Sequence, residues 1–385
     1  MKIICEVIQT FDVEEAIKKL LLKIYEKYPK KEYYLGIVFF TFDFENSEIF
    51  KKLYKINFVK HLFSLKVYKI IYNANIFSPG IGILLFPDKE FSEFLFFHNF
   101  EEKRFPDEAE RKFFQLVKEK QFKESFVFHI IDAPLLKIDR FLRGVQNVLG
   151  TDSTNLGVSP FQDFSLESNQ LYYNGKIYKN YIISLLFSKK VNFSFSQKIG
   201  ALEVGSPFTI TQSYLNLIEK INDKPASSYF LDFTGSQIPK ETFPRIGLYY
   251  PVGLYLEDKI YLRNIIRFLD GGILFCGGEI EEHSKGRVFL VSNEEILKTC
   301  RESAKEIKNA SKEETLKMCW VFSGISRLKS LGHKQDYEVK EIKNYLNAEI
   351  FGFYTHREIS PELCKISKGK ILFQNASINI LGFLE

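Results

Sequence analysis

The run Tyr33–Phe40 (YYLGIVFF) is apolar on both of the faces a strand would present, and it follows directly on an amphipathic segment. A strand of that kind has to be covered on both sides, which requires helices or a second sheet above and below it. The segment before it carries apolar residues at Val13, Ala16, Ile17, Leu20, Leu21, Ile24 and Tyr28, the spacing of one helix face. Asp12 with Glu15 three residues on supplies a capping-box start, and Pro29 closes the helix. A helix running into a buried strand is the beginning of a layered α/β unit.

The rest of the chain continues that alternation. Strands are expected near 67–72, 81–86, 126–131, 181–187 and 191–196, and helices at 107–120 and 136–148. Tyr173-Asn174-Gly175-Lys176 is a hairpin signal, because Asn-Gly accepts the positive φ angles of a type I′ turn. Ile177–Phe187 then reads as one long strand. Ser213–Ile221 fits helix or extended chain, and Ala226–Phe233 a short helix. Pro239 and Pro244 mark loop. Strands recur around 246–250, 261–266, 273–276, 287–291, 318–323, 350–355, 370–374 and 377–384. Ser292 with Glu295 caps a helix whose core face is Ile296, Leu297, Cys300, Ala304 and Ile307, and another helix covers 336–346. No short-period repeat or low-complexity linker is present. The reading is a mixed α/β (α+β) chain: two layered halves, 1–212 and 213–385, packed directly together, with largely buried mixed sheets flanked by helices.

Composition narrows the function classes. The chain has 385 residues with 39 Phe and 20 Tyr, enough large side chains for thick aromatic core layers. Its formal charge of +5 is spread as interleaved Lys and Glu, a solvated surface that does not call for nucleic acid. Five cysteines at 5, 276, 300, 319 and 364 form no CxxC pair, so a reducing, cytoplasmic location is expected instead of a disulfide framework or zinc site. Cys276 and Cys319 read as small buried hydrophobes. Neither a signal pattern nor an apolar run of membrane-spanning length occurs, so no membrane partner is expected. The six dispersed His residues give no metal-ligand spacing, and no phosphate loop, dinucleotide fingerprint, HExxH or GxSxG is found. No cofactor and no catalytic group are expected.

What remains is a set of phrases in fixed order. GLYYPVG (247–253) precedes Tyr261-Leu262-Arg263-Asn264 and Leu269-Asp270-Gly271-Gly272. Trp320–Arg327 (WVFSGISR) and Leu331-Gly332 come next, then Ile350–Pro361 (IFGFYTHREISP) and Gln374-Asn375-Ala376-Ser377. Upstream stand Gln197–Pro207, Thr209–Thr211 and Lys224-Pro225-Ala226. This series resembles the FIST family, in N-terminal and C-terminal parts, over nearly the whole chain. Gly324 stands where the family has Cys, Arg357 where it has Gly, and Tyr72–Pro79 matches its N-terminal Cys phrase poorly, so thiol chemistry is not carried over.

The resemblance implies a sensory domain for a small ligand, amino acids having been suggested, usually attached to a signalling output or, in one branch, to an F-box. Such sequence fills this chain, so a separate signalling protein is the expected partner. A pocket for a charged metabolite needs a cation for a carboxylate and an acceptor for an amine. Arg263 and Arg327 are the candidate cations and Glu358 the acceptor, with Asn264, Tyr354 and Thr355 as neutral hydrogen-bonding groups. Blander readings stand beside these: an Arg263–Glu358 ion pair closing strand ends, Thr355 as a strand residue, an exposed His356, and Asp132 as a cap or turn residue. An unrecognised enzyme using Arg263, Arg327, Glu358 and His356, and a protein-interaction scaffold, are the competing functions.

Overall fold

The computed structural model describes residues 3–29, 32–41, 46–55, 58–88, 92–98, 107–120, 124–132, 138–149, 154–160, 170–188, 190–235, 242–256, 259–311, 314–360 and 372–385. Pro239, Pro361 and Cys364 lie outside these. The chain opens with β1 (Ile4–Ile8), α1 (Val13–Lys27), β2 (Tyr33–Thr41), α2 (Asn46–Lys55) and β3 (Val59–Val67). A hairpin, β4 (Ile70–Tyr72) and β5 (Asn75–Phe77), leads to β6 (Ile81–Phe86). Asp12 caps α1 by accepting the Glu15 N–H at 2.9 Å. Strand β6 inserts antiparallel between β1 and β2, while β2 and β3 run parallel, giving the order β1-β6-β2-β3.

The same unit is then built again. It consists of β7 (Ser92–Phe97), α3 (Asp107–Lys120), β8 (Glu124–Asp132), α4 (Ile138–Leu149), β9 (Thr154–Ser159), the hairpin β10 (Leu171–Tyr173) and β11 (Lys176–Tyr178), and β12 (Tyr181–Ser188). Its order is β7-β12-β8-β9. The third unit starts with β13 (Asn192–Ile199) and is interrupted by an insertion. The insertion carries β14 (Ala201–Glu203), β15 (Phe208–Tyr214), β16 (Leu217–Ile221), β17 (Lys224–Pro225), α5 (Ala226–Thr234), α6 (Phe243–Tyr249), β18 (Val252–Leu256), β19 (Lys259–Arg263), β20 (Ile265–Leu269), β21 (Ile273–Cys276) and β22 (Lys285–Val291), which form a sheet of their own. The unit resumes with α7 (Asn293–Ala310), β23 (Leu316–Gly324), α8 (Ile325–Leu331), α9 (Gln335–Tyr345), β24 (Glu349–Thr355), β25 (Arg357–Ser360), β26 (Leu372–Gln374) and β27 (Ser377–Leu384). Its order is β13-β27-β23-β24.

Each hairpin leaves its own unit to extend the sheet of another. The first unit's β4 pairs with β24 of the third, the second unit's β10 with β3 of the first, and the third unit's β25 with β9 of the second. The exchange closes into a ring and covers a parallel edge strand in every sheet, the edge that would otherwise expose unpaired N–H and C=O groups.

Alternation along the strands explains the layering. Leu35, Ile37 and Phe39 of β2, Phe126, Phe128 and Ile130 of β8, and Met318, Trp320 and Phe322 of β23 all enter one shared core. Their intervening neighbours face outward: Val38 and Phe40 join α1, Val127 and Ile131 join α4, and Cys319 and Val321 join α7 and α9. Three sheets therefore enclose a central aromatic core and carry helices outside. Trp320 sits in it with Phe383 at 4.9 Å and Phe128 at 5.3 Å between ring centroids. The double-sided cover inferred for Tyr33–Phe40 and the Phe-rich interior are both present, as is the mixed α/β class.

Several local expectations are corrected. Residues 246–250 are helical in α6, started by Pro244 in its first turn, a position where the missing N–H costs nothing. Ile177–Phe187 is two strands, parted at Asn180, whose φ is 49°. The 67–72 run is likewise divided between β3 and β4, and Ser213–Ile221 belongs to the antiparallel pair β15–β16. Ser292 sits at the start of α7 but its side chain makes no capping bond. The Asn-Gly turn is as expected, with φ of 42° at Asn174 and 85° at Gly175.

Candidate functional site

At the seam where β25 pairs with β9, the insertion leans on the second and third units. Arg263 ends β19 and is fully buried. Its Nε donates to the Glu279 carbonyl at 3.1 Å, and its Nη1 to the carbonyls of Phe373 and, at 3.3 Å, Leu262. Its charge lies 4.7 Å from the centre of the Tyr261 ring. Gly278 passes so close that a Cβ there would stand 2.8 Å from Arg263 Nε, so glycine is the residue that lets the guanidinium lie flat. One nitrogen, Nη2, is buried with no hydrogen-bond partner among the described residues.

Around it a chain of polar contacts closes. Arg143 of α4 forms an ion pair with Glu279, and the Glu279 N–H donates to Asp139 Oδ2 at 2.9 Å. Asp139 Oδ1 faces the Phe373 N–H at 3.5 Å. Arg357, the first residue of β25, is buried with its guanidinium 5.4 Å from the centre of the Phe373 ring. Among the described residues it makes no hydrogen bond and no ion pair. Burial pulls its pKa down to about 10, with the Arg263 charge adding to the shift and Asp139, Asp132 and Glu358 opposing it.

Glu358 follows on the opposite face of β25. It is fully buried and accepts the Thr355 hydroxyl on one oxygen and the Ser377 hydroxyl on the other at 2.8 Å. Burial pushes its pKa up to about 8 in spite of those bonds and of the Arg327 charge, so it carries a proton at neutral pH. Asn264 accepts the Ser326 hydroxyl at 3.3 Å, while its backbone N–H donates to Asn375 Oδ1 at 3.0 Å. Asn375 in turn donates to the His356 carbonyl at 2.8 Å.

Arg327, at the start of α8, is otherwise employed. Its Nε donates to Glu338 Oε1 at 2.8 Å, and its Nη groups donate to Thr299 Oγ1, the Ile296 carbonyl and Cys300 Sγ at 3.1–3.3 Å. Tyr354 donates to the other Glu338 oxygen at 3.1 Å and Ser323 to the first at 2.9 Å. Arg327 and Glu338 are both fully buried, and breaking such a pair leaves an uncompensated charge, a cost of about 3–5 kcal/mol. This network ties β23, α7, α8, α9 and β24 together.

The residues singled out from sequence thus gather along one continuous polar layer, but their side chains separate into two groups. Arg263, Asn264, Thr355 and Glu358 border the seam, whereas Arg327 and Tyr354 are committed to Glu338. Arg263 and Glu358 do not form the ion pair considered as an alternative. His356 is half-buried where exposure was expected. Asp132 ends β8, is fully buried, and its charge reaches Arg357. Sequence reasoning passed over Arg357, Asp139 and Glu338. Glu338 had a signal, a carboxylate on the apolar stripe of α9 beside Val339 and Ile342. So had Arg357, a charge inside an otherwise apolar strand phrase.

A cavity of about 300 Å³ lies elsewhere, near the opposite strand ends, lined by Ile3, Tyr28, Lys317, Met318, Glu349, Phe383 and Glu385. Its carboxylates are matched internally: Tyr72 donates to Glu349 at 2.9 Å, and Lys317 lies 3.5 Å from Glu385. At the seam, by contrast, the buried Arg263 Nη2 has no hydrogen-bond partner among the described residues.

Three interlocked α/β units with a buried polar seam beside an inserted sheet define a mixed α/β protein in which charge is held in the interior. The chain belongs to the FIST family. The FIST N domain matches residues 34–224 and the FIST C domain residues 226–361, and such domains are associated with signal transduction and small-ligand sensing. No curated protein matches the chain. Among solved structures, a chorismatase crystal structure is similar at 10% identity over 100% of this chain and 98% of its own, with a TM-score of 0.35, too low to carry an argument. No helix among the described residues is long and apolar enough to cross a membrane.

Proposed function

We propose that the chain is a sensor that binds a small metabolite at the seam formed by β19, β25, β26 and α4, and passes the bound state to a signalling partner. The observation that carries this is the fully buried Arg263, whose Nη2 has no hydrogen-bond partner among the described residues. A buried donor left without an acceptor costs about 1–3 kcal/mol, and an acceptor brought by a ligand recovers that cost. Asn264, Thr355 and Glu358 border the site, while Arg327 and Tyr354 stiffen the strand ends from which it hangs. The family's link to small-ligand sensing supports the reading, and the free, buried Cys5, Cys276, Cys300 and Cys319 suit a reducing cytoplasm.

Binding without turnover raises stability by RT ln(1 + [L]/Kd), about 2.7 kcal/mol at a hundredfold excess over Kd. A thermal-shift screen of amino acids, carboxylic acids and sugars is therefore expected to yield a compound that raises Tm saturably and is recovered unchanged. If none does so at millimolar concentration, the receptor reading fails.

A further inference from the structure

We propose that the cavity at the strand ends shared by the first and third units is a second binding site, and that it takes a small organic cation: an ammonium group carried on a short apolar or aromatic body. This site is independent of the β25 seam and uses none of its residues.

Two units build the cavity where their strands meet. Ile3 leads into β1 and Tyr28 follows α1, both in the first unit, while Met318 of β23, Glu349 of β24 and Phe383 of β27 belong to the third. Its volume of about 300 Å³ stands at the small end of the range that metabolite pockets occupy. Met318 and Phe383 are buried members of the shared core, so the wall they form is apolar and continuous with that core.

Glu349 is the charged group there without a counter-ion. It is half-buried, the Tyr72 hydroxyl of the exchanged hairpin donates to its Oε1 at 2.9 Å, and the Cys5 thiol bonds to it as well. Both partners are neutral: they hold the carboxylate in place and leave its charge unmatched. Among the described residues no lysine or arginine forms an ion pair with it. The bases nearby are engaged elsewhere, Lys27 with the buried Glu6 at 2.5 Å and Lys317 with Glu385 at 3.5 Å. The lining thus sets two carboxylates, Glu349 and Glu385, against the single ammonium of Lys317. A half-buried carboxylate is screened less than an exposed one, so a cation brought to it gains more.

The walls select among cations. Tyr28 and Phe383 supply aromatic surface and Met318 a thioether, which are partners for an organic cation and its hydrocarbon body. A divalent metal ion needs a cage of oxygen ligands, and no group of three or more His, Cys, Asp or Glu that could hold one occurs among the described residues. An anion would meet both carboxylates with a base that is already paired. The Lys317–Glu385 pair is itself open to water, its side chains 54% and 47% exposed, and such pairs are weak. Lys317 therefore tunes the charge of the rim without closing the site.

The test titrates the full chain with phenethylammonium, butylammonium, phenethyl alcohol and phenylacetate, read by isothermal calorimetry and thermal shift. At least one of the two ammonium ions is expected to bind saturably, about tenfold or more tighter than the alcohol, while phenylacetate leaves Tm unchanged. Glu349→Gln is expected to weaken the ammonium ion about tenfold or more, and Lys317→Ala, an exposed change, to tighten it about twofold or more by removing a like charge from the rim. If Glu349→Gln fails to fold, Lys317→Ala and the comparison of ammonium ion with alcohol on the unaltered chain decide the question. Equal binding of ammonium ion and alcohol, a preference for phenylacetate, an affinity that ignores Glu349, or no binding of either ammonium ion at about 10 mM overturns the proposal. Glu349→Gln also separates the two sites, since a compound bound at the β25 seam keeps its affinity in that variant, and the receptor reading there is left standing whichever way this test falls.

Discussion

Glu358 illustrates how a single buried carboxyl writes itself into the pH dependence of the fold. Its pKa stands at about 8 in the folded chain against an ordinary 4.5. The folded state thus holds a proton that the unfolded chain releases, and this contribution to stability declines as pH rises from 4.5 to about 8. Buried His129, bonded to Ser184 and Asn155, works in the opposite sense: burial lowers its pKa from 6.5 to about 4, so stability is lost as pH falls through that interval. The two slopes oppose one another at mildly acid pH, and above the ordinary histidine pKa only the Glu358 slope is left. Glu358→Gln, which keeps the shape without the charge, is expected to flatten the decline between about pH 6.5 and 8, a slope of at most about 1.4 kcal/mol per pH unit. Urea titrations at several pH values measure it, and an unchanged slope would show that Glu358 is ionised in the fold. At this scale the sequence exposed which residue types sit near the seam, because the family phrases carry Arg263, Asn264, Thr355 and Glu358. It did not expose their partners. Glu338 lies eleven positions from Arg327, and Phe373 over a hundred from Arg263, and nothing local marks those pairings.

Secondary elements were legible wherever one rule acted alone. Helices α3 and α4 and strands β6, β21 and β27 follow from periodicity and length, and the β10–β11 turn follows from Asn-Gly. Gly175 holds φ at 85°, a left-handed conformation in which a Cβ is strained. Gly175→Ala is expected to cost about 1–2 kcal/mol in a chemical-denaturation curve, through loosening of the hairpin that caps β3. A neutral substitution would mean that the turn relaxes without penalty. Elements were misread where two signals competed. The aromatic residues of GLYYPVG suggested a strand, but Pro244 sets the start of a helical turn and Pro251 follows its end. Ile177–Phe187 looked continuous because Lys179 and Asn180 are short interruptions in an apolar run, yet the chain bends there, with a positive φ at Asn180, and its two strands join different sheets.

The ring of three units is the feature that sequence concealed most completely. Ile37, Phe128 and Trp320 occupy matching positions, each opposite a leucine on the inserted antiparallel strand, namely Leu84, Leu185 and Leu381. An aliphatic, a phenyl and an indole side chain serve one packing role, so the repeat resides in strand direction and register and leaves no residue identity to detect. The consequence is energetic. Because every sheet contains a hairpin from another unit and all three sheets share one core, no unit can leave without exposing apolar surface on the other two. Unfolding is therefore expected to be cooperative across the chain, although proteins of this length often unfold domain by domain. Trp320, the single tryptophan, lies in the shared core and reports on it directly. Its fluorescence and the far-UV circular dichroism of the helices outside the sheets should follow the same urea curve, with one midpoint and one slope. Two separated midpoints would show that the units fold independently, and the mutual covering of their sheet edges would then contribute little to stability.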